Sequence, residues 1–162
     1  MVAAEAIQGL IDRADIIDVA NRFASGIDHE RWDQYGSCIA DEVEISLPVT
    51  GGWVRLTRDE LLAVASRIYA QVVATQHISA NHEVSVSGDQ ATCVSTLNAT
   101  HYLSEEHAER LQREVGYYEY GLVRTADGWK IHRMLMTIMW VEGNTQAFRR
   151  VQANAAMPTA GR

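Results

Sequence analysis

The spacing of apolar residues changes near Thr75, and this change limits the folds open to the chain. Before it, apolar residues recur every three or four positions, which is typical of helices with one buried face. After it, apolar and polar residues alternate in four long stretches, at about 77–86, 91–103, 115–124 and 129–140. Gly88-Asp89 and Asp127-Gly128 are hairpin signals between neighbouring stretches. Helices followed by long antiparallel strands predict an α+β fold.

The helical part opens with a long stretch at 7–27. Its apolar residues form one predicted buried stripe, made of Ile7, Leu10, Ala14, Ile17, Ala20, Phe23, Ala24 and Ile27. A second, short helix is predicted at 29–39 and a strand at 43–47. Thr57 is a predicted N-cap with Glu60 at the capping-box position. The helix that it opens has one apolar face, formed by Leu61, Val64, Ala65, Ile68 and Val72.

Length and composition bound the class of protein. The 162 residues predict one domain over 1–162, with its core at about 7–141 and a C-terminal helix and tail at 143–162. A formal charge of −7 with a single lysine, Lys130, argues against nucleic-acid binding. The sequence shows neither a signal-peptide pattern nor an apolar run long enough to span a membrane. Cys38 and Cys93 are isolated, so we expect no disulfide or zinc site and a cytoplasmic location.

One carboxylate falls where an apolar face should be. Asp28 follows Ala24 by four residues and so extends the buried stripe of the first helix. A carboxylate there must find a hydrogen-bond partner or accept a raised pKa, and both outcomes suit a general base. His77 and His101 are candidate partners. The alternative is structural, because Asp28 could also cap the second helix.

The second alternating stretch carries a candidate cavity wall on one of its faces. A curved sheet whose concave face is closed by the N-terminal helices would enclose a cone-shaped cavity. On the stretch at 91–103, one face carries small residues that lead to a histidine, namely Ala91, Cys93, Ser95, Leu97, Ala99 and His101. His77, His82 and Glu83 lack the spacing of a known metal motif, and residues 77 and 82 should face opposite sides of a regular strand, so we expect no metal.

Four short motifs carry a family resemblance. They are the segment 24–33 (ASGIDHERWD), the triplet Thr75-Gln76-His77, the position of His101 after the Gly88-Asp89 turn, and the segment 127–131 (DGWKI). Together they resemble the SnoaL-like members of the nuclear transport factor 2-like superfamily, with scytalone dehydratase as the nearest pattern. The first two motifs also resemble lindane dehydrochlorinase, whose Asp-His dyad matches Asp28 and His77.

This resemblance implies a cone-shaped α+β barrel with a cofactor-independent acid-base site. It implies a lyase or isomerase of the dehydratase type that acts on a small, cyclic organic molecule. Asp28, His77 and His101 would be the catalytic residues. Predicted substrate contacts are Phe23, Ile27, Trp53, Tyr69, Leu97, Tyr117 and Glu119, the last two by alignment with the family's inward serine and asparagine. Ile27 stands where the family has a tyrosine, so scytalone itself is not the expected substrate.

Three alternatives stay open from the sequence. The chain could be a non-catalytic small-molecule-binding protein or a β-type structural subunit of a ring-hydroxylating dioxygenase, which shares the fold. Glu119 could be a buried partner of Arg133 rather than a cavity residue. Met134, Met136 and Ile138 are predicted on the outer sheet face, and an apolar outer face predicts a homo-oligomer, either a dimer or a trimer.

Overall fold

The computed structural model describes residues 2–104 and 110–160. This part of the chain holds four helices, which are α1 (Val2–Asp28), α2 (Trp32–Ser37), α3 (Arg58–Tyr69) and α4 (Thr145–Asn154). It holds six strands, which are β1 (Ile39–Leu47), β2 (Gly52–Thr57), β3 (Val72–Ser87), β4 (Gln90–Leu103), β5 (Leu111–Thr125) and β6 (Gly128–Gly143). No helix in these ranges is both long and apolar enough to cross a lipid bilayer.

The strands form one curved sheet in the order β2-β1-β6-β5-β4-β3. Neighbours are antiparallel except β1 and β6, which run parallel. The sheet does not close on itself, and α1 packs across its concave side, chiefly against β3. The prediction of an α+β fold with a curved antiparallel sheet and N-terminal helices is therefore confirmed.

Irregular pairing bends the long strands. The β5–β6 register shifts after Val115 and again after Gly121, and the β3–β4 register shifts between Ala80 and Glu83. Such bulges increase local twist and curvature. At Gly116 the neighbouring strand is so close that a Cβ atom would lie 1.9 Å from the carbonyl oxygen of Thr137. This close approach explains a glycine inside a strand.

The first helix buries only part of its predicted stripe. Residues 4–11 are exposed, including Ile7 and Leu10, so the prediction for this half of the helix is wrong. Burial begins at Asp12, whose carboxylate accepts two hydrogen bonds from the guanidinium of Arg124 at 2.7 and 2.8 Å. The remaining core face is formed by Ile16, Val19, Ala20, Phe23, Ala24 and Ile27. Helical spacing alone does not show where a helix leaves the sheet.

The shorter elements differ in how well their sequence signals agree with the structure. The capping box of α3 is present, with the Thr57 hydroxyl accepting from the backbone N–H of Glu60. The second helix ends at Ser37 rather than at residue 39, because Ile39 already pairs with Ile131 of β6. Val72 belongs to β3 rather than to the face of α3. The third alternating stretch, predicted from residue 115, begins in the structure as β5 at Leu111.

Candidate functional site

Asp28 and His77 form a hydrogen-bonded pair that joins the end of α1 to β3. Asp28 is the last residue of α1, and its Oδ2 accepts a hydrogen bond of 2.7 Å from the backbone N–H of His77. Its Oδ1 lies 2.7 Å from His77 Nδ1. The N-cap position of α2 is Arg31, without any side-chain capping bond, so the capping interpretation of Asp28 is wrong.

The two bonds from Asp28 fix the His77 ring and its tautomer. A carboxylate accepts a hydrogen bond from Nδ1–H, so the lone pair of the neutral ring lies on Nε2. That atom is 3.3 Å from the hydroxyl of Tyr69, which can donate to it. The His77 side chain is 3% exposed and that of Asp28 is 13% exposed. The arrangement therefore presents a sheltered, oriented base.

His101 lies beside this pair on β4. Its Nδ1 is 3.0 Å from Thr75 Oγ1, and its ring is 5.5 Å from the His77 ring between centroids. The ring also stacks on Phe148 of α4 at 4.0 Å. Burial, reinforced by His77, holds the pKa of His101 well below its usual value. His101 is thus a neutral imidazole that can accept at Nδ1 and donate from Nε2.

These residues face a largely apolar cavity of about 440 Å³. That volume is in the usual range for sites that bind small organic molecules. Rings and thioethers make up much of its wall, from Phe23, Tyr35, Tyr69, Tyr118, Phe148, Met134, Met136 and Met157. Its polar lining includes His77, His101, Glu114, Arg149 and Gln152. Burial raises the pKa of both Tyr69 and Tyr118, which keeps these phenols protonated.

The inward face of β5 differs from the sequence prediction. Tyr118 and Glu114 line the cavity, whereas Glu119 is exposed and Tyr117 is half-buried on the opposite face. The reason is register, because Tyr118 pairs with the inward Ser95 and Glu114 pairs with the inward Ala99. The placement of Tyr117 and Glu119 in the cavity is therefore wrong.

The alternative partner for Glu119 is also wrong. Arg133 reaches Glu44 at 3.9 Å and lies over the ring of Trp53 at 4.1 Å. The shift in pairing between Gly121 and Leu122 takes Arg133 out of the face that carries Trp129 and Ile131.

The other predicted substrate contacts lie partly in the cavity and partly elsewhere. Phe23, Ile27 and Tyr69 line the cavity. Trp53 is 42% exposed, and Leu97 is buried in the core without lining the cavity. Met134, Met136 and Ile138 line the cavity, so their predicted position on the outer sheet face is wrong. The bulge in β6 changes which side of the sheet each residue faces.

The remaining histidine on β3 has a local role. The irregular pairing after Ala80 brings His82 Nε2 to within 3.1 Å of Ser79 Oγ, on the face that carries His77. The prediction that residues 77 and 82 face opposite sides assumed a regular strand and is wrong. Within residues 2–104 and 110–160, no group of three or more His, Cys, Asp or Glu side chains is arranged to hold a metal ion.

Comparisons with known proteins point to one family and one fold. A family model described as a SnoaL-like domain matches residues 8–135. A comparison with curated protein sequences finds no significant match.

Three solved structures show the same fold. The Kfla4162 protein from Kribbella flavida is 24% identical with a TM-score of 0.81, over 88% of this chain and 99% of that one. A candidate scytalone dehydratase from Novosphingobium aromaticivorans is 18% identical with a TM-score of 0.73, over 85% and 90%. A type 3 hexachlorocyclohexane dehydrochlorinase from Novosphingobium barchaimii is 16% identical with a TM-score of 0.74, over 86% and 94%. At these identities the likeness concerns the fold.

Proposed function

The chain belongs to the SnoaL-like domain family, and we propose that it is a cofactor-independent lyase or isomerase of the dehydratase type. The observation that carries the proposal is His77 at the wall of an apolar cavity, with its backbone N–H and its ring each hydrogen-bonded to one oxygen of Asp28. Structural relatives that include a candidate scytalone dehydratase and a dehydrochlorinase support an elimination reaction. The aromatic wall favours a cyclic organic substrate.

The proposed reaction begins at His77 Nε2. This atom takes a proton from a carbon next to a carbonyl group, and the electron pair of the C–H bond moves toward the carbonyl oxygen. The resulting imidazolium is stabilised by the Asp28 carboxylate, 2.7 Å from Nδ1. A substrate must displace the Tyr69 hydroxyl from Nε2, after which this hydroxyl can donate to the substrate. A positioned base contributes roughly 10²–10⁴-fold, and the rest of the acceleration must come from dipoles in the cavity.

Proton exchange tests this step without knowledge of the natural substrate. A panel of one-ring and two-ring cyclic ketones is incubated with the protein in D₂O, and deuterium at the carbon next to the carbonyl is followed by NMR. We expect exchange with wild-type protein and its loss in His77→Ala. His29→Ala is the matched control, because His29 is exposed at the end of α1.

The outcomes separate catalysis from binding. Ketones that bind in the cavity without exchanging their protons would contradict the enzyme proposal and favour a non-catalytic binding protein. Exchange that persists in His77→Ala would exclude His77 as the base. Melting temperatures of both variants close to that of wild type would show that any loss concerns the site.

A further inference from the structure

Glu114 is a carboxyl group that lines the cavity, and the reaction proposed above leaves it without a role. It lies on β5, directly paired with Ala99 of β4, which is itself paired with His77 of β3. The backbones of His77 and Glu114 are therefore two strand spacings apart, about 10 Å. Both side chains line the cavity, and Ala99 lies between their positions on the sheet. A substrate that fills the cavity therefore contacts both residues.

The other polar groups cannot easily supply a proton to a leaving hydroxyl. His101 is neutral, and a neutral imidazole that gives up its remaining proton becomes a strongly basic anion. The buried phenols of Tyr69 and Tyr118 are held protonated, which makes them poor acids as well. A catalytic acid works best when its pKa is close to the working pH. Burial raises the pKa of Glu114 toward this range.

The charged and titratable groups around Glu114 are consistent with this assignment. His77, His101 and Tyr69 line the same cavity from β3, β4 and α3, and Arg149 lines it from α4. Tyr118 lies on the same strand and the same face. The side-chain amide of Gln112, and then His77 and Arg149, favour the carboxylate and so limit the effect of burial on the pKa of Glu114.

We propose that Glu114 is the general acid of the site, and that it protonates a hydroxyl group that leaves from the carbon beyond the one that His77 deprotonates. The inference rests on the proposed function, because it assumes that His77 is the base. His101, which the resemblance places among the catalytic residues, then serves as a hydrogen-bonding group.

The step balances without any further reactant. His77 Nε2 takes the proton from the carbon next to the carbonyl, and the electrons of that C–H bond form the new C=C bond. The C–O bond of the hydroxyl breaks, its electrons stay on the oxygen, and this oxygen takes the proton of Glu114 and leaves as water. Glu114 is then a carboxylate and His77 an imidazolium. Proton exchange with solvent restores both.

A change of leaving group tests the role of Glu114. The probes are cyclic ketones with either a hydroxyl or an acetate group at the same position, followed by the ultraviolet absorbance of the enone that both produce. Acetate can leave as an anion, whereas a hydroxyl group must be protonated before it can leave as water. We expect Glu114→Gln to lower elimination of water by roughly 100-fold or more and elimination of acetate by no more than a few fold. Glu119→Gln, on the same strand but exposed, should leave both rates unchanged.

The outcomes distinguish this inference from the function on which it rests. Equal loss of both eliminations in Glu114→Gln, or no loss in either, would overturn the role of Glu114 alone. Wild-type protein that eliminates neither group and exchanges no proton next to a carbonyl would overturn the proposed function, and this inference with it. His77→Ala should lose both eliminations, because both need the base.

Infrared spectroscopy provides a readout that needs no substrate. A protonated carboxyl group has a carbonyl stretch that a carboxylate lacks. Because burial raises the pKa of Glu114, we expect such a band to persist above the pH range of an exposed glutamate in wild-type protein and in Glu119→Gln, and to be absent in Glu114→Gln. If the wild-type spectrum lacks that band at every pH above the range in which an exposed glutamate titrates, the inference is overturned.

Discussion

The Asp28 carboxylate holds both the backbone and the ring of His77, one oxygen for each. This double contact makes the residue difficult to replace. An asparagine can still accept from the backbone N–H through its oxygen, but its NH₂ group then faces Nδ1. Because an NH₂ group only donates, the ring must place its proton on Nε2. The lone pair of the ring would then lie on Nδ1, so that Nε2 could no longer accept a proton from a substrate.

Asp28→Asn should therefore lower proton exchange from cyclic ketones by roughly 10²–10⁴-fold. The accompanying change is visible by ¹⁵N NMR of His77, whose proton should move from Nδ1 to Nε2. The control is Asp15→Asn, at an exposed position of the same helix. If Asp28→Asn loses activity while the His77 tautomer stays the same, the tautomer argument is refuted.

At the scale of elements, the curvature that makes the cavity depends on a bulge. Gly116→Ala would place a methyl group against the backbone of β6, at 1.9 Å from Thr137 O. We expect a loss of about 1–3 kcal/mol in the free energy of unfolding, because backbone atoms cannot move aside as a side chain can. Urea denaturation measures it.

The matched glycine for this test is Gly9 in the exposed first turns of α1. A Cβ atom there meets nothing within 4 Å. Gly9→Ala should be neutral or stabilise the protein by up to ~1 kcal/mol, since alanine favours a helix. Equal effects at both glycines would show that the close approach at Gly116 is not what selects glycine there.

The start of α3 offers a second test at this scale. Thr57→Ala removes both the hydroxyl that accepts from the Glu60 N–H and its bond to the Glu60 carboxylate. We expect a loss of about 1 kcal/mol in denaturation experiments. Ser66→Ala, inside the same helix, should cost less, because alanine is the better helix former there. A larger loss at Ser66 than at Thr57 would contradict the capping argument.

Sequence signals predicted some elements well because their cause is local. The capping residues at Thr57 and the hairpin turns at Gly88-Asp89 and Asp127-Gly128 act through neighbouring backbone groups, and the structure has all three. The strand β2 was missed because it is short and only Leu56 is buried in it. The inward face of β5 was assigned wrongly because a shift of one residue reverses a strand, and the link between β4 and β5 carries no turn signal that fixes it.

For the whole molecule, the cavity is made by residues far apart in sequence. Asp28 and His101 could be predicted because each places a titratable group at the end of a patterned face, and His77 could be predicted from the Thr75-Gln76-His77 motif. Glu114, Arg149 and Tyr118 could not, since their positions depend on the pairing of β5 and on how α4 packs. The sequence therefore predicts part of the site, whereas the proposed acid, Glu114, can be identified only from the structure.

The neutral state of His101 predicts how stability depends on pH. The folded state resists protonation of this residue, whereas the unfolded chain takes up a proton below about pH 6.5. Stability should therefore fall as the pH is lowered from 7 to 5, with a slope from this residue of at most ~1.4 kcal/mol per pH unit. The raised pKa of Glu114 acts in the opposite sense toward the acid end of this range.

Thermal unfolding across pH 5–8 checks this prediction. His101→Asn should reduce the slope, because its amide carries no charge in either state. His29→Asn is the control at an exposed position. An unchanged slope in His101→Asn would mean that another group causes the dependence.

The outer face of the sheet bears on the oligomeric state. The methionines expected there line the cavity, but other apolar residues take their place. Ile78, Val115 and Trp140 lie in one row across β3, β5 and β6, and Ile78 and Trp140 are each 50% exposed. We propose that this row is covered by a second or third copy of the chain. A monomer would leave these side chains in water, at a cost in solubility.

Light scattering after gel filtration decides between the possible states. We expect a mass of two or three times 18.0 kDa, and 18.0 kDa for Trp140→Glu, because a carboxylate in an apolar contact would be desolvated without a partner. Ile7→Glu, at an exposed apolar position of α1, should leave the mass unchanged. A wild-type mass of 18.0 kDa would refute the homo-oligomer. A chain that is stable only with a larger, different subunit would favour the role of a dioxygenase β subunit over that of an independent enzyme.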